Sequence, residues 1–348
     1  MKVIKIGDVL VGGKNPVFIV AEISANHLQD YDLAVQIINA AKKAGADAVK
    51  LQTYTADTIT LNCDSKYFQL DETIWEGKTL YQLYKEAYTP WDWQPKLKEH
   101  AESLGLIFFS SPFDRTAVDF LEGLDVPAFK VASFEITDIP LIEYIASKKK
   151  PVIISTGIAE PSDIETAIEA CKKEGNDEII LLKCTSAYPT PLSDVNLQTL
   201  PDLSTRFNTL TGLSDHTLGI SVPVAAVSLG ACLIEKHLTL KRELGGPDAE
   251  FSLEPHEFES MVKTIREVEE ALGEVSYTLT EKMKRSRKFS RSLFVTEDIR
   301  KGEMFTDANV RSVRPGYGLH PKFQDKVLGK RATKDLKKGT PLNWDMLE

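Results

Sequence analysis

The chain has few features that would anchor it in a membrane or cross-link it. None of its apolar runs approaches the roughly 20 residues needed to cross a bilayer. The N-terminal stretch MKVIKIGDVLVGGKN lacks the continuous apolar core and the small-residue cleavage site of a signal peptide. Its four cysteines are scattered without a CxxC pair: Cys63, Cys171, Cys184 and Cys232. These absences favour reduced thiols in a cytoplasmic protein over disulfides or a zinc site.

The charge balance also excludes classes of function. A net charge of −9 argues against an electrostatic surface for nucleic acid. No Gly-rich P-loop accompanies the lysines of the predicted strands, so a nucleoside triphosphate is not indicated. With 42% hydrophobic and 27% charged residues the composition is that of a soluble globular protein. An anionic substrate would therefore need locally placed lysines.

Eight short apolar runs recur along residues 17–240 and alternate with helix-length segments. The runs read VFIVAEIS, DAVKLQT, IFFSSP, AFKVAS, PVIIST, EIILLKCTS, TLTGLSDH and CLIEKHLTL. Most of the intervening segments, such as YDLAVQIINAAKKAG, carry apolar residues at helical spacing. A strand that alternates with a helix eight times predicts an α/β fold, the (β/α)8 TIM barrel, here over residues 1–272.

One connection is longer than the pattern requires. Residues 54–90, after the second strand, contain a helical signal of their own, TLYQLYKEA, and several aromatic residues. Loops of this length are often lids or binding elements, although a packed insertion without a ligand role is an equal alternative.

The C-terminal part of the chain differs from the barrel segment in composition and pattern. Residues 273–290 are polar and basic and are predicted to be a linker. In residues 291–348, Asp298–Gly302 (DIRKG) is echoed by Asp335–Gly339 (DLKKG), which predicts two similar strand-turn units in a small β-rich domain. A segment of this size has a marginal core and is expected to need a docking surface.

Polar residues end the predicted strands, and this indicates an enzyme. The C-terminal ends of barrel strands carry the chemistry of this fold, and burying polar groups there is costly unless they meet a ligand. The residues are Glu22, Lys50, Gln52, Ser111, Lys130, Ser133, Ser155, Ser186, Ser214, His216 and His237.

Two histidines form the candidate metal site. His216 and His237 end the seventh and eighth strands, which are neighbours in a closed barrel. Glu22 ends the adjacent first strand, and Asp248 follows His237. Two imidazoles with carboxylates favour Mn²⁺ or Mg²⁺, bound by the carboxylates directly or through water. His27 is a weaker candidate at the mouth of the barrel, and the remaining histidines lie on predicted helices or in the C-terminal segment.

Lysines and hydroxyls form a second candidate site. Lysine is rare inside a barrel strand because an unpaired buried ammonium is costly, yet Lys50 and Lys130 end the second and fourth strands. With the strand-end serines around them they would bind an oxyanion, such as phosphate together with carboxylate. For each serine alone, capping of the strand end is an equal alternative.

Ordered motifs along nearly the whole chain resemble the sialic acid synthase family. They are FIVAEISANH, AGADAVKLQTYT, FFSSPFD, FKVASFEI, ISTGIA, KCTSAYPT, GLSDHTLG and EKHLTL. RSLFVTEDIRKGE and SVRPGYGLHP are similar to the appended antifreeze-like (SAF) domain of that family. The resemblance implies a transferase that condenses phosphoenolpyruvate with an amino-sugar aldehyde, forms a C–C bond and uses a divalent metal.

The resemblance also implies roles for individual residues. His216 and His237 would hold the metal, with Glu22 near its water and the aldehyde. The phosphoenolpyruvate site would comprise Lys50, Lys130, Ser133, Ser155, Ser186 and Ser214, and Ser111 is a further substrate-binding candidate on the same rim. Gln52, Tyr188 and Asp248 would face the sugar. Arg314, in the RPG motif, would reach the active site of a partner subunit in a homodimer whose SAF domain lies over that site.

The chain departs from the family pattern in two respects, and several alternative functions remain open. Ser186 stands where many family members have asparagine, and residues 54–89 offer no evident counterpart of the asparagine that contacts the N-acetyl group. TIWEGKTLYQLYKEAYTP and RPGYGLHPKF are most similar to the branch that uses 2,4-diacetamido-2,4,6-trideoxy-L-altrose. Alternatives are a synthase of N-acetylneuraminic or legionaminic acid, a pyruvate-dependent metal aldolase, or an ice- or carbohydrate-binding role resting on the C-terminal domain.

Overall fold

A computed structural model describes residues 2–71 and 74–348, in two compact units, Met1–Gly273 and Glu274–Glu348. Met1 and Thr73 begin two of the segments singled out above and lie outside the described residues. The segment 273–290 falls largely in the second unit and contains a short helix, Glu281–Ser286.

The first unit opens with an antiparallel hairpin and continues as a closed parallel barrel. The hairpin pairs β1 (Val3–Ile6) with β2 (Val9–Gly12). The barrel strands are β3 (Phe18–Glu22), β4 (Ala48–Thr53), β5 (Ile107–Pro112), β6 (Phe129–Val131), β7 (Val152–Ser155), β8 (Ile179–Cys184), β9 (Leu210–Asp215) and β10 (Leu233–His237). They pair in chain order, and β10 closes the ring by pairing with β3. The predicted eight-stranded barrel is confirmed.

Helices separate the barrel strands and cover them. They are α1 (Tyr31–Lys43), α2 (Ala56–Ile59), α3 (Leu80–Ala87), α4 (Gln94–Ser103), α5 (Arg115–Gly123), α6 (Ile139–Ser147), α7 (Pro161–Lys173), α8 (Thr199–Phe207), α9 (Ser221–Ser228) and α10 (Pro255–Leu272). Helix α1 shows why they form: Asp30 caps two backbone N–H groups at its start, and its buried face is Ala34, Ile37, Ile38 and Ala41. Among the described helices none is long and apolar enough to span a membrane.

The strands are buried on both faces, as parallel strands under a helical layer must be. Every residue of β3, β7 and β10 is buried. Four phenylalanines, Phe18, Phe108, Phe109 and Phe129, are among the largest fully buried side chains. This rigid core fixes where each strand ends, and the polar strand-end residues are positioned by it.

The long connection after β4 is structured. It holds α2, a single turn at Lys66–Phe68 and α3. Thr55 and Thr79 each form a capping box with the residue three positions later, so both helices begin at a defined residue. The helix predicted from TLYQLYKEA is therefore present.

The second unit is a small domain with its own core. It contains α11 (Glu281–Ser286), the antiparallel pair β11 (Ser292–Val295) and β12 (Val310–Val313), and α12 (Gln324–Val327). The two echoed segments pair with each other: Ile299 and Leu336 exchange backbone hydrogen bonds. Asp298 accepts from the Lys338 N–H, and Asp335 accepts from the Lys301 N–H. The sequence echo therefore corresponds to a reciprocal contact.

Single 3-10 turns complete the two units. In the first unit they are Ser24–His27, Lys66–Phe68, Trp91–Trp93, Ser133–Glu135, Leu192–Asp194, Arg242–Leu244 and Ala249–Phe251. In the second they are Arg287–Phe289, Pro321–Phe323 and Trp344–Met346. The four cysteines are free thiols, as predicted.

Candidate active site

A cavity of about 420 Å³ lies at the end of the barrel where the strands finish. Twelve of the fourteen predicted site residues line it: Lys50, Gln52, Ser111, Lys130, Ser133, Ser155, Ser186, Tyr188, Ser214, His216, His237 and Asp248. Glu22 contacts Lys50 directly behind the lining. Arg314 belongs to the second unit and precedes a cis peptide bond to Pro315.

The two lysines share a buried cluster of carboxylates. Lys50 forms an ion pair with Glu22, and its Nζ lies 3.7 Å from Glu235 Oε1. Lys130 Nζ lies 4.0 Å from the same Glu235 oxygen. All four side chains are at most 6% exposed. The ammonium groups are therefore paired in the protein, which explains how a barrel interior tolerates them.

Hydroxyls bind the same lysines and complete an oxyanion cradle. Lys130 Nζ donates to the Ser155 hydroxyl over 2.7 Å, and Lys50 Nζ donates to the Ser111 hydroxyl over 3.3 Å. Ser214 donates to Glu235 over 3.1 Å. Each of these serines has a polar partner in the cluster, so strand-end capping alone does not describe them.

Gly157 gives the cradle its closest backbone approach. Its N–H donates to the Ser133 hydroxyl over 3.2 Å. A Cβ at this position would lie 2.2 Å from the Ser186 Oγ and 2.7 Å from the Ser133 Oγ. Only glycine leaves the space between these hydroxyls open, and the backbone can then face a ligand there.

The predicted histidine pair lies together in the cavity. The rings of His216 and His237 have centroids 5.3 Å apart, and both pack against Phe251. His216 Nδ1 donates to the Thr185 carbonyl over 3.2 Å, so its Nε2 carries the free lone pair. Nδ1 of His237 is buried and has no hydrogen-bond partner among the described residues. Both rings therefore present a nitrogen lone pair.

The protonation of these rings follows from their surroundings. Burial holds the pKa of His237 well below its usual range, and the nearby His216 and Lys50 lower it further. His237 is therefore neutral, as a metal ligand must be. Burial lowers the pKa of His216, but the neighbouring Cys184 and the Thr185 carbonyl raise it overall. A cation at His216 would have to compete with that proton.

The residues fit a cation with two protein ligands. Within the described part of the chain, no three His, Cys, Asp or Glu side chains converge in a metal-binding group. Glu22 is paired with Lys50, and Asp248 accepts hydrogen bonds from the Ser24 hydroxyl and the Ala25 N–H. Two imidazoles with remaining positions open to water or substrate suit a reactive centre better than a structural site.

The long connection forms the apolar side of the cavity. It contributes Tyr54, Ile59, Leu70, Trp75, Leu80, Leu83, Tyr84 and Ala87 to the lining. Trp75 donates from its indole Nε1 to the Pro247 carbonyl over 3.0 Å and packs against Tyr188. Of the two alternatives for this segment, the structure favours a binding element.

Several residues that line the cavity are not among those predicted from the sequence. Glu235 precedes His237 by two positions, so strand alternation places both in the cavity, and that signal was available. Glu135, two residues after Ser133, lines the cavity, and burial raises its pKa to about 7. His27 lies outside the lining: it is buried and bonded to the Thr89 hydroxyl over 3.0 Å. Its expected place at the mouth is therefore wrong.

Comparison with known proteins agrees with this arrangement. Residues 37–277 match the NeuB family, and residues 290–348 match the SAF domain. Curated relatives include the pseudaminic acid synthases of Campylobacter jejuni, 48% identical over 94% of this chain and 95% of theirs, and of Helicobacter pylori, 46% identical over 96% and 98%. The N,N'-diacetyllegionaminic acid synthase of Legionella pneumophila is 38% identical over 97% and 96%.

Solved structures share the fold. The N-acetylneuraminic acid synthetase of Leptospira borgpetersenii, in complex with citrate, superposes with a TM-score of 0.73 at 35% identity, covering 82% of this chain and 95% of that one. The spore coat polysaccharide biosynthesis protein SpsE of Bacillus subtilis gives a TM-score of 0.68 at 35% identity, with coverage of 100% and 99%.

Proposed function

The chain belongs to the NeuB family, and we propose that it catalyses the pseudaminic acid synthase reaction. Phosphoenolpyruvate, 2,4-diacetamido-2,4,6-trideoxy-L-altrose and water would give pseudaminic acid and inorganic phosphate. One observation carries this proposal: the lysine and hydroxyl cradle and the imidazole pair lie in one cavity. The former suits an anionic donor and the latter an aldehyde acceptor.

The cradle accounts for the anionic substrate. Phosphoenolpyruvate carries a phosphate and a carboxylate, and Lys50 and Lys130 supply two ammonium groups a short distance apart on either side of Glu235. The serine hydroxyls and the Gly157 N–H would donate hydrogen bonds to the remaining oxygens. Preorganised donors of this kind stabilise charge that develops during reaction.

The apolar wall accounts for the sugar. The altrose derivative carries three methyl groups, two in acetamido groups and one at C6, and has fewer hydroxyls than N-acetylmannosamine. The connection after β4 faces the cavity with Ile59, Leu70, Leu80 and Leu83 beside Trp75. Such a surface favours methyl groups over hydroxyls, because burying an unpaired hydroxyl is costly. Gln52, Tyr188 and Asp248 would provide the polar contacts.

His216 and His237 would hold the divalent metal, Mn²⁺ or Mg²⁺. When bound there it would supply Lewis-acid polarisation of the aldehyde oxygen. The residues of the chain do the rest: they fix both substrates at bonding distance, an effect that can contribute several kcal/mol. Phe251 and the apolar wall line the cavity and would limit the access of bulk water to the bound substrates.

The proposed reaction forms one C–C bond and breaks the C–O bond to phosphate. C3 of phosphoenolpyruvate attacks the aldehyde carbon, and positive charge develops at C2. Water adds to C2 and loses a proton to a carboxylate. The carboxylate passes that proton to the aldehyde oxygen, which becomes the new hydroxyl group. The tetrahedral intermediate then collapses to the ketone: its C–O bond to phosphate breaks, and the proton of its C2 hydroxyl leaves with the phosphate. Candidate proton acceptors are Glu22, whose pKa burial raises to about 7 although Lys50 opposes it, and Asp248, whose pKa burial also raises.

The test is release of phosphate from purified protein supplied with Mn²⁺, phosphoenolpyruvate and the altrose derivative. We expect turnover with this sugar, little with N-acetylmannosamine or the legionaminic acid precursor, and none after chelation or in folded His216→Ala. Turnover of N-acetylmannosamine in preference would assign the sibling reaction. Product formed from pyruvate without phosphate release would instead identify an aldolase.

Labelling with ¹⁸O tests which bond of phosphoenolpyruvate breaks. ¹⁸O placed in the C–O–P bridge should leave with inorganic phosphate if the C–O bond breaks. Label retained in the sugar product would show that the P–O bond breaks instead.

We also propose that the active form is a homodimer in which Arg314 completes the partner's site. No arginine is among the residues that line the described cavity, although its substrate is anionic. Mixing Arg314→Ala chains with His237→Ala chains should restore part of the activity. In a mixed dimer, one site combines the intact His237 of the first chain with the intact Arg314 of the second. No recovery after demonstrated subunit exchange would mean that each site is built within one chain.

A further inference from the structure

A buried ion pair beside the active site has no part in the function proposed above. Lys236 Nζ lies 2.5 Å from Asp215 Oδ2, and the two side chains are 0% and 2% exposed. Neither residue lines the cavity. Because the cost of removing both charges from water offsets most of their attraction, a pair this deep is weak evidence of a role in stability.

Strand alternation places this pair opposite the cavity. In β10, Glu235 and His237 face the cavity, so Lys236 between them faces the helical layer. In the same way Ser214 faces the cavity and Asp215 faces outward. The register pairs Glu235 with Ser214 and Lys236 with Asp215. Each member of the ion pair thus immediately precedes one of the two histidines.

Thr217, which follows His216, forms hydrogen bonds with both members of the ion pair. Asp215 accepts from the Thr217 N–H over 3.0 Å and from the Thr217 hydroxyl over 3.0 Å. Lys236 also donates to the Thr217 carbonyl. All three side chains are at most 3% exposed. The residues on both sides of His216 are therefore bonded to Lys236, which precedes His237: Asp215 through its side chain and Thr217 through its carbonyl oxygen.

We propose that Lys236 is a positioning residue, which holds the imidazoles of His216 and His237 at the separation required by a divalent cation. This inference rests on the proposed metal site. Groups that fix the orientation of metal ligands without touching the metal commonly change its affinity by about 10- to 100-fold. Here the support acts through the backbone of two neighbouring strands, because the ion pair and the imidazoles lie on opposite faces.

The experiment compares cation binding with stability in full-length variants. Lys236→Met removes the ammonium and keeps most of the side-chain volume. Thr217→Val is nearly isosteric and removes only the hydroxyl, so it remains informative if Lys236→Met does not fold. Arg266→Met is the control: Arg266 bonds Asp47 and Glu269 near the start of β3, at the other end of the barrel.

Binding of Mn²⁺ is followed by electron paramagnetic resonance, and thermal unfolding is measured in parallel. The Kd for Mn²⁺ should rise about tenfold or more in Lys236→Met and about two- to fivefold in Thr217→Val. Affinity for phosphoenolpyruvate should stay within about twofold of wild type, because Lys50 and Lys130 are untouched. Arg266→Met should unfold at lower temperature with unchanged Mn²⁺ binding.

Wild-type affinity for Mn²⁺ in folded Lys236→Met and Thr217→Val would overturn the positioning role. Failure of the metal site itself gives a different result: wild-type protein would take up no Mn²⁺, or His237→Ala would bind it as well as wild type. In that case the proposed metal site is wrong, and the inference about Lys236 falls with it.

Discussion

The indole of Trp75 donates a hydrogen bond of 3.0 Å to the carbonyl oxygen of Pro247, which links two loops separated by 172 positions in the chain. Trp75 belongs to the connection after β4, and Pro247 precedes Asp248 in the loop after β10. The same indole packs against Tyr188 at a ring distance of 5.7 Å. One side chain thus joins the apolar wall to the polar contacts expected to face the sugar.

Replacing Trp75 with alanine should weaken sugar binding selectively. The change removes a hydrogen bond of about 1 kcal/mol and a large part of the apolar wall, so the KM for the sugar should rise tenfold or more. The KM for phosphoenolpyruvate should change little, because its lysines lie on barrel strands and not in this connection. Tyr67→Ala is the matched control: Tyr67 lies in the same connection, is 80% exposed and does not line the cavity. Equal effects on both KM values would contradict a role in sugar recognition.

A methyl group at position 157 should block the oxyanion cradle. The Cβ of Gly157→Ala would lie within 2.7 Å of two serine hydroxyls. These would have to move, so we expect the KM for phosphoenolpyruvate to rise at least tenfold while the melting temperature changes little. Gly123→Ala at the end of α5 is the control, since a Cβ there meets nothing within 4 Å. Unchanged phosphoenolpyruvate binding in Gly157→Ala would place the anion elsewhere.

The barrel and most of its site could be predicted because their signals are local. Most of the apolar runs end in a charged or hydroxyl residue, and a parallel barrel brings such ends to one mouth. Lys50 and Lys130 line one cavity for this reason, and His216 and His237 lie together because their strands are neighbours. The echo of Asp298 and Asp335 likewise predicted two similar units.

The contacts that could not be predicted join positions far apart in sequence. His27 follows a barrel strand directly, yet Thr89 and Trp93 bury it, and no pattern near His27 reports where that later segment packs. The bond between Trp75 and Pro247 is of the same kind. The pairing of Glu235 with two lysines could not be predicted for another reason. Lys50 and Lys130 come from two other strands, and only the closed barrel brings the three charges together.

His27 should make the first unit less stable in mild acid. Its ring accepts from the Gln29 N–H and bonds the Thr89 hydroxyl, and burial lowers its pKa from 6.5 to about 4. Between these values the unfolded chain binds a proton that the folded chain does not. The free energy of unfolding should therefore fall as pH decreases from about 6.5 to about 4, by about 3 kcal/mol in all.

Urea unfolding at several pH values, followed by tryptophan fluorescence, measures this slope. Trp93 packs edge-on against the His27 ring and reports on the same region. His27→Gln should flatten the slope in this window, whereas His256→Gln, at a side chain 75% exposed, should leave it unchanged. An unaltered slope in His27→Gln would assign the acid sensitivity to other groups.

Glu135 should show the opposite pH dependence, because it is a half-buried carboxyl group that lines the cavity. Burial raises its pKa from 4.5 to about 7, while Lys130 opposes the shift. As pH rises from about 4.5 to 7 the unfolded chain releases a proton that the folded chain retains, so stability is lost over that interval. Glu135→Gln cannot ionise and should be more stable than wild type at pH 8, by about 1–3 kcal/mol.

Glu135→Gln should also lose activity, because a carboxyl group with a pKa near 7 in a cavity is suited to proton transfer. Glu165→Gln, exposed on α7, should change neither property. If Glu135→Gln is more stable than wild type and loses turnover, the Glu135 carboxyl group serves the reaction and lowers the stability of the fold. If Glu135→Gln is less stable than wild type at pH 8, the charge of Glu135 is compensated in the folded protein.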